Sequence, residues 1–465
     1  MSQKYVHIKS FGCQMNKLDS ALVASAITQA GFSLTNTLKK ADAVIINTCS
    51  VRSHAEQRVL SHLGRLTHIR KTRPNLVVAV IGCMAQRLGQ TLLEYEAVDI
   101  VCGPVQITQI TGLLKNALDH RQKTLAITEK IRTKTDTQQA EALEQFESLH
   151  GRRHTQLPNQ AFVRAMRGCN NFCTYCIVPY VRGPEVSRPP AAVIEQIKNL
   201  ADNGVVKVTL LGQTINSYSY KAGQKTYCLA DLLEMASRVN GIEWLSFVTS
   251  YPSTRFFDEI LHAVADLPKV CPYLHMPAQS GSDKILKAMN RHYTAAEYLK
   301  MLQKARDIVP DIALSGDFIV GFPGEAEEDF AQTLRLVENA NYKNCFVFKY
   351  SPRPATAAEK TLPDSVPPET KKKRNTELLA LQENISRRLS ARFLGKTLRV
   401  LVEGPSKKPH LNAAQNQQMP QLVARTAADY IVVFNGPKSL AGRFANVKIT
   451  KTAPLTLFAQ LIPGT

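Results

Sequence analysis

Apolar runs alternate with longer helical stretches in the first part of the chain. Val and Ile crowd into residues 5–9, 43–47 and 76–81, each run lying between turn signals, and this pattern predicts three strands. Residues 98–102 are a fourth candidate. Because strands that alternate with helices are typical of a doubly wound parallel sheet, we expect an α/β domain of this kind over residues 3–122.

A second series of strands and helices follows a polar, Gln-rich stretch at 123–160, which we interpret as a linker. Strands are predicted at 162–166, 206–211, 244–249, 273–276, 313–320 and 345–350. Six strands separated by helices predict a partial (β/α)6 barrel over residues 161–390 rather than a complete eight-stranded barrel. Active sites of such barrels lie at the carboxyl ends of the strands.

The pattern changes again near the end of the chain. Residues 371–392 predict a long basic helix, and short β runs follow at 397–402, 421–425, 430–434 and 446–450. These runs favour a small β-barrel over residues 391–457, of the kind that binds oligonucleotides.

The amino-acid composition indicates the kind of binding partner and the cellular compartment. The 465 residues include 58 Lys and Arg against 38 Asp and Glu, a net charge of +20. This surplus favours a polyanionic partner such as RNA, although a merely basic, well-solvated surface is the alternative. The amino terminus has no apolar signal core and no apolar run approaches the roughly 18 residues of a membrane span, so we expect a cytoplasmic protein without a membrane partner. There, ten reduced cysteines favour metal or catalytic use over disulfides.

Three of these cysteines are packed as CxxxCxxC, at Cys169, Cys173 and Cys176. Three thiolates at this spacing can hold three corners of a 4Fe–4S cube and leave the fourth iron free to bind a reactant. A structural zinc site needs four ligands, and no fourth Cys or His lies within a few residues. The spacing therefore favours a reactive cluster over zinc or over three thiols that merely pack.

A second set of three cysteines is spread along the first domain. Cys13, Cys49 and Cys83 each follow a predicted strand, at intervals of about one βα unit. Because the carboxyl ends of parallel strands meet at one edge of a sheet, these thiols are expected to converge there, although three buried cysteines could coincide by chance. The other four lack matching neighbours and are interpreted as small core residues: Cys102, Cys228, Cys271 and Cys345.

The residues around both sets resemble one family. FGCQMN at 11–16, NTCSVR at 47–52, GCMAQR at 82–87 and RGCNNFCTYCIVPYVRG at 167–183 are similar to motifs of the radical S-adenosylmethionine methylthiotransferases. QMN after the first cysteine matches the MiaB branch, which acts on transfer RNA, better than the branches that act on a ribosomal protein or on threonylcarbamoyl-adenosine. The resemblance covers nearly the whole chain and includes a C-terminal TRAM domain.

The resemblance implies two 4Fe–4S clusters, one on Cys169, Cys173 and Cys176 and an auxiliary one on Cys13, Cys49 and Cys83. The first would cleave S-adenosylmethionine to give a radical that removes hydrogen from an inert C–H, and the second would supply sulfur. A second S-adenosylmethionine would supply the methyl group, so that carbon 2 of an isopentenyl-adenosine beside the anticodon is methylthiolated. An electron donor such as flavodoxin or ferredoxin is implied, and the protein is expected to be a monomer.

The resemblance also implies cofactor and RNA contacts. The S-adenosylmethionine pocket is expected to include Tyr175, Gly212, Gln213, Gln279, Ile319 and Gly321, and Arg188 is a candidate partner for the methionine carboxylate. Contacts to RNA are expected at Lys407, Lys408 and Arg425. QTIN at 213–216 replaces the usual QNVN of the family, which puts details of substrate fit in question.

Two alternatives to this function remain. They are the same chemistry on a ribosomal protein or on threonylcarbamoyl-adenosine, or an RNA-binding iron–sulfur sensor without turnover.

Overall fold

The structure is a computed structural model that describes residues 3–50, 53–129, 137–151, 157–407 and 419–462. The first unit is a six-stranded sheet of order β2-β1-β3-β4-β5-β6, in which each neighbouring pair of strands is parallel. Its strands are β1 (Tyr5–Ser10), β2 (Ser33–Leu34), β3 (Ala43–Thr48), β4 (Val77–Gly82), β5 (Ile100–Cys102) and β6 (Thr124–Ala126). Its helices are α1 (Gln14–Gln29), α2 (Ser53–Thr72), α3 (Cys83–Leu88), α4 (Gln90–Leu93) and α5 (Ile110–His120).

Helices cover both faces of this sheet. Leu22 of α1 and Leu114 of α5 belong to one core, while Leu63 of α2 and Met84 of α3 belong to the other. Strands β3 and β4 are consequently buried along their whole length, which explains their unbroken apolar runs. The doubly wound architecture predicted from the alternating pattern is confirmed.

The stretch interpreted as a linker contains regular structure. Besides β6, its described part holds the helix α6 (Thr137–His150), which buries Leu143, Phe146 and Glu147. The two apolar side chains pack into the core that α1 and α5 share. Polar composition concealed this helix, because only one narrow stripe of it faces inward.

The central unit contains six parallel strands, as predicted. They form two sheets, β13-β10-β7 and β14-β15-β16, and Leu245 of β13 pairs in parallel with Val270 just before β14. The strands of this unit are β7 (Gln160–Arg164), β8 (Met166–Arg167), β9 (Val186–Ser187), β10 (Lys207–Leu211), β11 (Ser219–Ala222), β12 (Lys225–Cys228), β13 (Trp244–Val248), β14 (Tyr273–His275), β15 (Ala313–Val320) and β16 (Asn344–Lys349). The helices are α7 (Val178–Arg182), α8 (Pro190–Asp202), α9 (Leu229–Ser237), α10 (Phe257–Asp266), α11 (Asp283–Ala288), α12 (Ala295–Ile308), α13 (Glu327–Ala340), α14 (Ala357–Thr361) and α15 (Pro368–Ala391).

The last unit is a closed barrel of order β17-β18-β19-β21-β20. Its strands are β17 (Thr397–Pro405), β18 (Gln421–Thr426), β19 (Ile431–Asn435), β20 (Phe444–Thr452) and β21 (Leu457–Leu461). The predicted domain ended at residue 457, where the closing strand β21 begins. This strand was not predicted because its short run has little strand propensity.

The small barrel packs against the amino-terminal ends of the central strands. Phe444 contacts Trp244 edge-to-face, with ring centroids 4.9 Å apart, and Ala313, the first residue of β15, lies in the core of the small barrel. Lys343 Nζ adds an ion pair of 2.9 Å to Asp429. The carboxyl ends of the central strands lie at the opposite end, where the loop with Cys169, Cys173 and Cys176 is found.

Candidate active site

The first cysteine set gathers at one edge of the parallel sheet. Cys13 caps the amino terminus of α1, Cys49 directly follows β3, and Cys83 is the first residue of α3 after β4. Cys49 and Cys83 are buried, whereas Cys13 is exposed. Because β1, β3 and β4 are neighbours in the sheet, the three cysteines lie at the same sheet edge.

Two glycines permit this approach. Gly12 has φ +137, and a Cβ added there would lie 2.4 Å from Cβ of Cys49. Gly82 has φ +96, and its added Cβ would lie 2.6 Å from Oδ1 of Asn47. Neither position can therefore carry a side chain without moving the loop that holds a cysteine.

A pair of buried asparagines fixes the loops beneath the thiols. Asn16 Nδ2 donates to Asn47 Oδ1 at 2.9 Å and to the Thr48 carbonyl at 2.7 Å. Asn47 Nδ2 in turn donates to the Asn16 carbonyl at 2.8 Å. Asn16 Oδ1 is thereby directed toward Cys13 Sγ, 3.2 Å away. The strand ends are locked together by polar contacts and not by packing alone.

The electrostatics of this thiol set favour one thiolate. A hydrogen bond with Cys49 lowers the pKa of Cys13 to about 6, with help from the positive charge of Arg182 and against partial desolvation. Burial raises the pKa of Cys83, although Arg182 opposes that effect. A thiolate is the form that ligates iron, and Cys13 is the thiol of this set whose pKa is shifted toward that form.

Arg182 reaches this set from the central unit. It ends α7, and its Nε donates to Cys83 Sγ at 3.2 Å while its Nη2 donates to Asp19 Oδ2 at 2.8 Å. Asp19 lies on α1 and also forms a buried ion pair with Arg164 at the end of β7. The auxiliary cysteine edge is therefore built by two units of the chain.

The second cysteine set lies in the loop after β8. Cys169 and Cys173 are buried and Cys176 is half-buried. The loop is held from across the barrel, because Thr174 N donates to the Met289 carbonyl at 3.0 Å and Asn290 Nδ2 donates to the carbonyls of Asn171 and Phe172. Burial raises the pKa of Cys169 and of Cys176, and the neighbouring thiols add to the effect.

Two side chains outside the motif contact these thiols. Thr214 Oγ1 lies 3.2 Å from Cys169 Sγ, and Arg291 Nη1 lies 3.5 Å from Cys173 Sγ. The Arg291 guanidinium also packs over Tyr251 at 4.3 Å and donates to the Tyr293 hydroxyl at 2.7 Å. These contacts place a hydroxyl and a buried cation beside two of the thiols.

Both sets fit an iron–sulfur cluster better than a single metal ion. Zinc brings its thiolates to about 2.3 Å from the ion and wants four ligands. Over the described ranges, no three His, Cys, Asp or Glu side chains are gathered closely enough to hold one ion. Three soft thiolates with hydrogen-bond donors beside them are the donor set that a 4Fe–4S cluster uses.

The expected cofactor residues fall on two strand ends. Gly212 and Gln213 follow β10, beside Thr214, and the Gln213 Oε1 atom is buried without a hydrogen-bond partner within the described part of the chain. Gln279, with φ +72, accepts from Ile319 N at 2.9 Å. Gly212 and Gln213 thus lie next to Thr214, the residue that contacts the Cys169 thiol.

The other cofactor candidates lie near the end of β15. Tyr175 and Ile319 pack against the same small cluster, which includes Phe322. Gly321, with φ +71, donates its N–H to Glu325 Oε2 at 2.6 Å. The turn after β15 is therefore held by a hydrogen bond to the Glu325 side chain and by apolar packing.

Arg188 does not have the position expected for a carboxylate-binding group. Its guanidinium is buried and donates to Glu144 at 2.7 Å and to Gln196 Oε1 at 2.8 Å. Glu147 lies 3.2 Å away as a further partner. The expectation that Arg188 pairs with the methionine carboxylate was wrong, because α6 supplies the acids that neutralise it.

The three expected RNA contacts differ in what the structure shows of them. Lys407 is exposed after β17, and Lys408 lies outside the described residues. Arg425 is half-buried on β18, with Nε 2.9 Å from Glu403 and Nη1 2.8 Å from Asp429. These two carboxylates neutralise its charge, so Arg425 is a less suitable phosphate contact than Lys407.

The site residues that sequence reasoning missed are Thr214, Arg291, Arg182 and Asp19. Arg182 and Thr214 do occur in segments that the family motifs drew attention to, but nothing in their spacing revealed a thiol as partner. Arg291 is distant in sequence from Cys173, and Asp19 acts through the distant Arg182, so only tertiary structure reveals these contacts.

Comparisons with known proteins give the class of protein. The Radical SAM superfamily matches residues 163–337, the TRAM domain matches residues 391–462, and an uncharacterized protein family, UPF0004, matches residues 5–103. Together these matches touch all three units of the fold, and they assign the central barrel to a radical S-adenosylmethionine domain.

Full-length relatives narrow the class to one family. A tRNA-2-methylthio-N(6)-dimethylallyladenosine synthase of Rhodopirellula baltica is 39% identical over 459 residues, which are 98% of this chain and 95% of the relative. The enzyme of the same name from Thermoanaerobacter pseudethanolicus is 41% identical over 98% of this chain and 93% of its own. The chain belongs to the tRNA-2-methylthio-N(6)-dimethylallyladenosine synthase family.

A solved structure supports the fold alone. The radical S-adenosylmethionine methyltransferase TsrM from Kitasatospora setae, solved with cobalamin and a [4Fe-4S] cluster bound, is 16% identical with a TM-score of 0.56. The similarity covers 77% of this chain and 74% of that one.

No described helix of this protein has the length and apolar character that a membrane crossing requires.

Proposed function

We propose that this protein is a radical S-adenosylmethionine transferase that methylthiolates carbon 2 of isopentenyl-adenosine beside the anticodon of transfer RNA. Membership of the family supports the substrate and the reaction. The observation that carries the proposal is that two separate sets of three thiols lie at strand ends of two units that share a buried contact through Arg182 and Cys83. An enzyme with a single reactive cluster would not need a second set of three cysteines beside the first.

The six cysteines are the proposed ligands. Cys169, Cys173 and Cys176 would hold the 4Fe–4S cluster at which S-adenosylmethionine binds, and Cys13, Cys49 and Cys83 would hold the auxiliary one. When bound, the two clusters and two molecules of S-adenosylmethionine supply the radical, the sulfur and the methyl group.

The chain's own groups bind, orient and exclude water. The pocket for S-adenosylmethionine is assigned to Tyr175, Gly212, Gln213, Gln279, Ile319 and Gly321. The orphan Oε1 of Gln213 is an acceptor available to an ammonium group or a ribose hydroxyl, which a buried acceptor without a partner favours. His275 Nε2 lies 3.1 Å from Asp317 Oδ1, so both side chains are held at the same strand ends.

Transfer RNA is the proposed partner, and an electron donor such as flavodoxin or ferredoxin would serve the first cluster. Lys407 and Lys408 are the proposed phosphate contacts of the small barrel, in a monomeric cytoplasmic enzyme. The proposed division of the chain is 3–122, a connecting segment at 123–160, 161–390 and 391–457. Strand β21 begins at Leu457 and extends the last unit to Leu461.

A deletion strain tests the substrate. Nucleoside mass spectrometry of its transfer RNA is expected to lose 2-methylthio-adenosine derivatives and to regain them with the wild-type gene. Cys13→Ala is expected to abolish methylthiolation while some 5′-deoxyadenosine still forms, whereas Cys169→Ala is expected to abolish both. Full methylthiolation by Cys13→Ala would refute the assignment of two clusters.

The alternatives give different results in the same assays. An iron–sulfur sensor would form no 5′-deoxyadenosine during anaerobic incubation with reductant. An enzyme acting on a ribosomal protein or on threonylcarbamoyl-adenosine would leave the isopentenyl-adenosine of the deletion strain methylthiolated. The names of the full-length relatives do not favour these alternatives.

A further inference from the structure

One short segment touches both sets of cysteines. It begins at Cys169 and ends at Gly183, and the Cys169 N–H donates to the Gly183 carbonyl at 3.1 Å, which closes the segment into a loop. The helix α7 lies inside it, and Ile177 and Val181 pack directly against Cys83 of the auxiliary set. The segment that presents one set of thiols therefore also forms a wall of the other.

Arg182, the last residue of α7, makes the polar part of this contact. Its side chain is only 7% exposed, and it bridges Cys83 Sγ at 3.2 Å and Asp19 Oδ2 at 2.8 Å. Arg keeps its charge at every physiological pH, so a permanent cation is fixed against an auxiliary ligand.

The carboxylate that pairs with Arg182 is shared with a second arginine. Asp19 is 2% exposed and is shared by two arginines, Arg182 and Arg164. Arg164 has a further partner in Glu147 at 3.0 Å, so Arg182 remains the cation that contacts Cys83. A cluster held by thiolates is anionic and gains a further negative charge when it is reduced, so such a cation stabilises the reduced form most.

We propose that Arg182 is a positioning residue of the auxiliary cluster, through which the central unit holds Cys83 and raises the cluster's reduction potential. The proposal rests on the cluster assignment made above. Arg182 acts through the ligand Cys83 and through Asp19, and it is not assigned a contact with the substrate. Its placement makes a complete auxiliary site depend on docking of the central unit against the sheet.

The test uses the full-length chain with Cys169, Cys173 and Cys176 all changed to Ala, so that only the auxiliary cluster gives a signal. In this parent we would introduce Arg182→Gln, which removes the charge, Arg182→Lys, which keeps the charge but not the planar fork, and Asp19→Asn. Arg238→Gln is the matched control, since Arg238 forms an exposed pair with Glu234. The readouts are iron content after anaerobic reconstitution, midpoint potential by redox titration, and melting of the apoprotein.

Arg182→Gln is expected to shift the oxidised-to-reduced ratio at the parent's midpoint at least tenfold toward the oxidised form, which is about 59 mV for one electron. Arg182→Lys is expected to shift it less, and Arg238→Gln not at all. Loss of iron uptake by Arg182→Gln with unchanged apoprotein melting would also support the proposal, because it isolates a role at the cluster.

The contrary results are equally distinct. Lower apoprotein melting in the Arg182 variants, with iron content and potential as in the parent, would overturn the proposal and reduce Arg182 to a structural tie between units. If Arg182→Gln does not fold, Arg182→Lys decides by the same criteria. A parent that binds no iron would instead refute the auxiliary cluster itself, and the proposal with it.

Discussion

The hydroxyl oxygen of Thr214 lies 3.2 Å from Sγ of Cys169, and both residues are buried. Thr214 comes from the loop after β10, which crosses the barrel mouth beside the cysteine loop. Asn171 Nδ2 reaches both partners, at 3.5 Å from the sulfur and 3.4 Å from the hydroxyl. A hydrogen-bond donor to a ligating sulfur raises the potential of an iron–sulfur cluster.

Thr214→Val is expected to lower the potential of the cluster on Cys169, because a methyl group replaces the hydroxyl without changing the shape of the side chain. The rate of 5′-deoxyadenosine formation with a fixed reductant should fall roughly tenfold, as removal of such an outer-shell partner usually costs 10- to 100-fold. Thr214→Ser keeps the hydroxyl and is the matched control. Equal rates for the Val and Ser variants would contradict the role of the hydroxyl.

Gly12→Ala is expected to prevent assembly of the auxiliary site. The new Cβ would lie 2.4 Å from Cβ of Cys49, and the backbone at φ +137 already disfavours a side chain. Gly31→Ala is the matched control, since Gly31 has φ +93 but nothing within 4 Å of the added Cβ. We expect both variants to lose some stability, and Gly12→Ala alone to lose about half or more of the iron bound after reconstitution. Equal iron content in the two variants would count against this account.

The architecture was largely predictable because it rests on local patterns. The strand runs near Val44 and Val78 are apolar on both faces, and the turns at their ends carry the cysteines, so periodicity and spacing located both thiol sets. The helix α6 was missed because its composition is polar and only Leu143 and Phe146 mark the buried stripe. The strand β21 was missed for a similar reason, since closure of the barrel and not local propensity defines it.

Charged partners were much less predictable than thiol spacing. Arg188 and Arg425 were interpreted as ligand-binding groups because their residue type suits carboxylate or phosphate. In the structure, Glu144 and Glu147 neutralise Arg188, and Glu403 and Asp429 neutralise Arg425. Glu144, Glu147 and Glu403 are distant in sequence from these arginines, so only the tertiary structure reveals those pairs; Asp429 lies in the turn just after β18.

Glu147 is expected to make the protein sensitive to acid. Burial opposes its charge, but Arg164, Arg167 and Arg188 outweigh burial and lower the pKa of Glu147 from its ordinary 4.5 to about 2. A depressed carboxyl pKa stabilises the fold above pH 4.5, and this stabilisation is lost as the pH falls from 4.5 toward 2. The contribution at neutral pH is about 3 kcal/mol.

Urea unfolding of the apoprotein measures this contribution. Glu147→Gln is expected to cost about 3 to 5 kcal/mol at pH 7, because it leaves buried arginines without their shared partner. It should also flatten the loss of stability between pH 5 and 3. Glu234→Gln, in an exposed pair with Arg238, is the control and should cost well under 1 kcal/mol. A parallel pH dependence in Glu147→Gln and wild type would exclude Glu147 as the acid-sensitive group.

Lys407 and Arg425 are expected to differ in RNA binding although both were candidate contacts. Lys407 is exposed at the end of β17, so Lys407→Gln should weaken transfer RNA binding and reduce the slope of log K against log salt by about one. The double variant with Lys408→Gln should reduce the slope by about two. Lys300→Gln, an exposed change on α12 in the central unit, is the charge-matched control.

Arg425→Gln is expected to act on the barrel itself. Its charge is balanced by Glu403 and Asp429, and Asp429 also pairs with Lys343 of the central unit. Loss of Arg425 should therefore lower the melting temperature and leave the salt slope near the wild-type value, measured by fluorescence anisotropy with labelled transfer RNA below the melting range. A reduced slope in Arg425→Gln together with an unchanged slope in Lys407→Gln would reverse the assignment and place the phosphate contact on β18.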